Sequence, residues 1–295
     1  MPLGNILVGT DFSESARDAV GRAATLPVGR GSSITLAHAL SPRLPAGLAA
    51  SLERAAQQKL EAAKSALSTA LAAAQRRDVD VFATVATGSP VDVIDTLAHD
   101  GLAELVVVGR GLGRPAGLGA GRLGSVAAQL ARACDRSVLV VATPPERPYI
   151  RPLAAIDLSE LSRTVLEAAA RLCPDALELG VVHAFEGQRS LELVRSLRDS
   201  GLGEGDIRAW ARSAEAQARA ACEAELAGVR LPGVTLGLFV HEGDPRDAVV
   251  AEAERRKADL VAIATRGHSK LRRWLFGSVA DHVLRTAPCD VLVVR

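Results

Sequence analysis

Short runs of Val, Ile and Leu alternate along this chain with longer stretches in which apolar residues recur every three or four positions. The short runs predict strands near 4–10, 32–39, 79–86, 104–109 and 137–142, then near 152–157, 177–184, 234–241, 258–264 and 290–294. The longer stretches predict helices near 14–27, 46–77, 90–100 and 124–133, then near 160–173, 188–199, 205–228, 245–257 and 277–286. Leu105-Val106-Val107-Val108 is apolar at every position, which suits a strand covered on both faces. That is the pattern of a parallel sheet between two helix layers. The expected fold class is α/β, with two doubly wound, Rossmann-like domains of five mostly parallel strands.

The pattern occurs twice. Ile6-Leu7-Val8-Gly9-Thr10-Asp11-Phe12-Ser13-Glu14 is answered by Leu153-Ala154-Ala155-Ile156-Asp157-Leu158-Ser159-Glu160. Later landmarks keep the same order. His38 is answered by His183, Gly88-Ser89-Pro90 by Gly243-Asp244-Pro245, Gly124-Ser125-Val126-Ala127 by Gly277-Ser278-Val279-Ala280, and Cys134-Asp135 by Cys289-Asp290. A repeat of domain size means two copies of one fold, assigned to 1–143 and 150–295. The linker Thr143-Pro144-Pro145-Glu146-Arg147-Pro148 is short and stiff, so the halves should pack together. Ser13 and Ser159 are expected to cap the first helix of each half, with Glu14 and Glu160 in its first turn.

The length of 295 residues lets each half bury its own core. A net charge of +1 gives no global drive toward nucleic acid or an anionic membrane. No apolar run approaches a membrane span, and no leader pattern opens the chain, so a cytoplasmic location is expected. Cys134, Cys173, Cys222 and Cys289 lack CxxC spacing and read as reduced thiols. His38 and His183 stand in separate halves and read as structural residues rather than metal ligands.

Candidate chemistry gathers after the fourth strand of the second half. Ala264-Thr265-Arg266-Gly267 is followed by nine residues and then Gly277-Ser278 at a helix start. A helix N-terminus offers unpaired N–H groups and partial positive charge to a phosphate. Gly277 allows close approach, Ser278 adds a hydroxyl, and Arg266, His268, Lys270, Arg272 and Arg273 form a local cation cluster. Asp157, at the end of the first strand, would face this loop across the ligand crevice of a doubly wound sheet. The plainer reading makes Ser278 a helix cap and Asp11 and Asp157 loop acids that cap the following helices.

Each half resembles a universal stress protein domain, and the chain resembles the tandem form over essentially its full length. Nucleotide-binding members of that family carry Gly, two residues, Gly, nine residues and Gly-Ser or Gly-Thr. Here Ala264 replaces the first glycine, and Gly267, Gly277 and Ser278 match the others. The resemblance implies that Asp157 contacts the adenosine part and that Ala184, after the second strand, offers backbone to adenine. It implies that Gly267, Gly277, Ser278 and Val279 hold ribose and phosphates. The implied ligand is ATP or a related adenine nucleotide, with Mg2+ accompanying a triphosphate. The family also pairs its last strands, which implies a pseudo-dimer within this chain, and further assembly into a homodimer.

In the first half Asp11, Gly124 and Ser125 match, but the loop from Gly109 is two residues longer and carries seven glycines, so the family spacing is lost. The site is therefore expected chiefly in the second half. Gly119-Ala120-Gly121-Arg122-Leu123-Gly124 fits G-x-G-x-x-G without the strand and acid that a dinucleotide site needs, and no Walker A pattern occurs. Three readings follow. The first is a stress-response regulator whose nucleotide alters the loop 265–276 and so a surface for a protein partner. The second is a ligand-free scaffold of the same fold. The third is an adenylate-processing enzyme with slow ATP hydrolysis, for which no nucleophile–base pair can be assigned.

Overall fold

The computed structural model describes residues 2–43, 45–111, 123–185, 196, 198–201, 203–265 and 276–295. In the first half the order is β1 (Ile6–Gly9), α1 (Glu14–Thr25), β2 (Ser33–Leu40), α2 (Ala46–Ala73), β3 (Asp80–Thr87), α3 (Pro90–Asp100), β4 (Leu105–Gly109), α4 (Ser125–Ala133) and β5 (Ser137–Val141). In the second it is β6 (Pro152–Ala155), α5 (Leu161–Leu172), β7 (Glu178–Phe185), α6 (Glu204–Ala227), β8 (Thr235–Glu242), α7 (Pro245–Arg256), β9 (Leu260–Ala264), α8 (Ser278–Thr286) and β10 (Asp290–Val294). The helix expected near 188–199 falls mostly outside the described residues.

All ten strands form one sheet, ordered β3-β2-β1-β4-β5-β10-β9-β6-β7-β8. Pairing within each half is parallel, and β5 meets β10 antiparallel. The seam pairs Val140 with Val291, Leu139 with Leu292 and Val138 with Val293. Leu139 and Leu292 hold corresponding places, so a pseudo-two-fold axis passes between them. Such a contact is self-complementary, as in a two-fold dimer, and it removes two exposed apolar edges. The expected intramolecular pairing of last strands is thus present.

Side chains alternate between the two faces of the sheet. Leu105 and Val107 join a core with α1, α2, α5 and α6; Val106 and Val108 join a second core with α3, α4, α7 and α8. Each core runs across the seam. This explains the run without polar positions: both faces of β4 are covered.

Local chemistry moves some boundaries. Helix α2 stops at Ala73, short of 77, because Gln75 turns left-handed (φ 58°) and Arg76 N–H closes onto Leu71 O at 2.8 Å. Ser13 does cap α1, accepting from Ala16 N–H at 3.3 Å. Ser159 does not cap α5: that helix starts at Leu161 with Glu160 before it, and the buried Ser159 hydroxyl has no partner among the described residues. The Cys-Asp landmarks also shift. The starts of α4 and α8 and the parallel registers make Cys134 equivalent to Ala287 and Ser137 equivalent to Asp290; Asp135 is exposed while Asp290 is buried.

Asp244 caps α7, accepting from Arg246 N–H at 2.8 Å and from its guanidinium. The Arg246 side chain, then its backbone N–H, holds this carboxyl at about 2. The folded value lies below the unfolded one of roughly 3.9. The ionised form therefore stabilises fully above that value, and this contribution is lost as pH falls toward 2. Urea midpoints should show the native protein losing about 0.5 kcal/mol more than Asp244→Asn between pH 5 and 2, the scale of an exposed pair. Parallel pH profiles for the two proteins would refute the assignment.

Candidate nucleotide site

In each half the strand order 3-2-1-4-5 reverses between the first and fourth strands. Chain leaves those two strands toward opposite sides, so their carboxyl ends open a crevice. In the first half that crevice is a cavity of about 420 Å³. It is lined by Gly9 at the end of β1 with Thr10 and Asp11 after it, Ala37–Ala39 of β2, Gly109 at the end of β4 with Arg110 and Gly111 after it, and Gly124–Ala127 at the start of α4. Glu14, Ser15 and Asp18 of α1 and Ile94 of α3 complete its walls.

Two glycines let the walls pack closely. A Cβ at Gly109 would run into the Ser15 carbonyl, 2.5 Å from its carbon, and one at Gly9 would lie 2.6 Å from Ile94 Cδ1. The second half has Ala264 and Ala155 in these places, with Val249 where the first has Ile94. There α5 starts one residue later than α1.

The turn after the first strand is built alike in both halves. Asp11 Oδ1 accepts from Ser13 N–H at 2.9 Å, and Asp157 Oδ1 from Ser159 N–H at 3.1 Å. Each acid thus braces a turn rather than caps a helix. The intervening Phe12 and Leu158 are left-handed at φ 65° and 61°, a strained conformation for bulky residues. His38 Nδ1 lies 2.7 Å from Thr10 O, and His183 Nδ1 lies 3.0 Å from Ile156 O. Both histidines therefore tie the second strand of their half to the turn after the first.

Helices α4 and α8 both start behind an N-cap glycine, and neither has a side-chain cap. Gly124 N–H donates to Arg110 O at 2.6 Å, and Gly277 N–H to Thr265 O at 2.9 Å. Ser125 and Ser278 are the first helical residues, so the plainer reading of Ser278 as the cap does not hold. First-turn N–H groups without a side-chain cap suit an anion.

Of the remaining expected residues, the described ones hold the corresponding places of the second half. Ala264 ends β9 and Gly277, Ser278 and Val279 begin α8. Asp157 lies two residues beyond β6 rather than at its end, because Leu158 turns the chain. Ala184 lies within β7 rather than after it, paired with His241. Arg266 and Gly267 lie outside the described residues. Sequence reasoning passed over Gly9 and Arg110 in the first half. A position-by-position comparison of the repeats marks both, since alanine and threonine replace them.

The universal stress protein family profile matches residues 2–142 and again residues 149–295. The chain belongs to the universal stress protein family. A universal stress protein of Methanocaldococcus jannaschii is 44% identical over 63 residues, 21% of this chain and 37% of that protein. A second, from Methanothermobacter thermautotrophicus, is 37% identical over 25% of this chain. The matched segments thus span 37% and 49% of the length of these two relatives. Universal stress protein A homolog 1 of Coxiella burnetii is 30% identical over half of this chain and 96% of its own length. Among solved structures, a universal stress protein from Archaeoglobus fulgidus covers 99% of this chain, and 98% of it is matched, with a TM-score of 0.64 and 18% identity. That likeness extends the tandem fold across the whole chain. Among the described residues, no helix is long and apolar enough to cross a membrane.

Proposed function

We propose that this universal stress protein binds ATP or a related adenine nucleotide as a regulatory ligand in its switch-point crevices. The observation that carries the reading is the first-half cavity, which has a glycine floor and opens onto the uncapped start of α4. Its volume of about 420 Å³ lies within the usual range of small-ligand sites. Phosphates would lie at Gly124, Ser125 and Val126. Asp11 would accept from the sugar or base, and the β2 end at Ala39 would offer backbone to adenine. The second crevice has the closer loop pattern, with Asp157, Ala184, Gly277, Ser278 and Val279 in the same roles. Mg2+ would accompany a triphosphate through phosphate oxygens and water.

A binding role is favoured over turnover by what the hydroxyls and imidazole of the first crevice already do. Ser13 caps α1 and lies 3.4 Å from the Ser15 hydroxyl, and His38 holds the Thr10 carbonyl. A fluorescent adenine nucleotide should bind the purified protein and be displaced by ATP but not by CTP. Equal displacement by both would sink the adenine assignment, and no binding would favour the scaffold.

A further inference from the structure

Arg110 belongs to both halves of the molecule. Its backbone builds the rim of the first crevice: its N–H donates to Val141 O at 2.7 Å, and its carbonyl accepts from Gly124 N–H at 2.6 Å. Its side chain crosses the seam and is 2% exposed. One guanidinium nitrogen donates to Leu284 O at 2.5 Å and another to Ala287 O at 2.8 Å, at the C-terminal end of α8. The other end of α8 is Gly277-Ser278, at the second crevice. Nine helical residues, about 13 Å, separate the two ends.

We propose that Arg110 is a positioning residue for both crevices, coupling the rim of the first to the helix that rims the second, so that each site senses occupancy of the other. The inference deepens the nucleotide reading and rests on it for its ligand, though the mechanical link does not need one. Helix α8 is packed through Ala280, Val283 and Leu284, all buried, so a pull at its last turn moves the helix as a unit. Arginine supplies two donors in a fixed fork, which transmits orientation as well as position.

The repeat provides an internal comparison. Thr265 is the counterpart of Arg110. Its N–H donates to Val294 O at 3.1 Å, and its carbonyl accepts from Gly277 N–H at 2.9 Å. Its side chain is too short to span the seam. The carbonyl on α4 that corresponds to Leu284 O is Ala131 O, and it accepts from Arg295 at 3.1 Å instead. Among the described residues, the buried guanidinium fork from a crevice rim to the end of the far helix runs from the first crevice to the second, beside a half-exposed Arg132–Asp281 pair that joins α4 to α8. Binding linkage is nonetheless reciprocal, so each ligand would alter the affinity of the other by the same factor.

The test is a double-mutant cycle on the full chain without nucleotide. Gly124→Ala disturbs the rim, because the new methyl would lie 3.1 Å from Gly111 Cα and 3.4 Å from Arg110 O. Arg110→Met removes the fork and keeps the stem. The readout is amide hydrogen exchange at residues 281–284 of α8. Gly124→Ala alone should change exchange there by about fivefold, the lower end of typical site coupling. In the Arg110→Met background it should change nothing further. Arg110→Lys, the milder variant, should leave an intermediate response and serves if Arg110→Met does not fold. An unchanged effect of Gly124→Ala in either background, or no effect of Gly124→Ala at all, would overturn the link. Calorimetry with Mg-ATP on the same proteins separates the two ideas. No heat with an intact cycle removes the nucleotide and leaves the link; heat with an additive cycle removes the link and leaves the nucleotide.

Discussion

Asp290→Ala is expected to cost about 3–5 kcal/mol of folding stability, the usual cost of stripping one partner from a buried ion pair. Asp290 is the first residue of β10, and its side chain is fully buried. One oxygen accepts from Arg22 Nε at 3.1 Å and from the Tyr149 hydroxyl at 2.6 Å. The other accepts from Ala142 N–H at 2.8 Å, Thr143 N–H at 3.1 Å and the Thr143 hydroxyl at 3.0 Å. Those five donors come from α1, the end of β5 and the linker, so one carboxylate binds the second half to the first. Burial, then the neighbouring carboxylate, pushes the Tyr149 phenol well above its usual range, which keeps it a donor. Arg22 also lies 4.2 Å over the Tyr149 ring. In Asp290→Ala these donors stay buried without their acceptor. Urea unfolding measures the loss. A change below 1 kcal/mol would mean that water satisfies the cluster and that the seam depends on the strands alone.

Gly109→Val should reduce nucleotide affinity at least tenfold, about 1.4 kcal/mol. The added Cβ would overlap the Ser15 carbonyl, which is backbone and cannot rotate away. The first turn of α1 must shift, and that turn carries Glu14 and Ser15 of the cavity wall. The fold should lose about 1–3 kcal/mol from overpacking. Ala264→Gly is the matched control in the second half and should leave first-crevice affinity unchanged. Calorimetry on the folded variants decides the point. Undiminished affinity in Gly109→Val would place the ligand elsewhere.

Much of the fold was legible because it rests on local causes. Continuous β-branched runs flanked by helical patterns specify covered parallel strands, and Leu105–Val108 alternates between two cores as that pattern requires. The repeat disclosed the doubling, and the family resemblance implied the seam. What stayed hidden depends on register and on contacts across the seam. The matching Cys134-Asp135 and Cys289-Asp290 suggested equivalent aspartates, yet strand pairing puts Asp290 in the place that Ser137 holds in the first half. Ser159 has the sequence of a cap, but α5 starts one residue later beside Ala264, where α1 meets a glycine. Arg110 lay in a glycine-rich loop and was given no role from the sequence. Its burial follows from Leu284 and Ala287, 174 and 177 residues away. The candidate residues Asp11, Gly124 and Ser125 stood out in the sequence as a pattern. The cavity they line did not, because it depends on how the ends of β1, β2 and β4 and the start of α4 come together.

The central claim, that an adenine nucleotide occupies the switch-point crevices, is tested most directly by calorimetric titration of Mg-ATP into nucleotide-free protein, alongside Gly124→Val and Gly277→Val. The account predicts heat from the native protein and loss of one component in each variant, with the first-crevice component removed by Gly124→Val. Full heat in both variants, or none from the native protein, would contradict it.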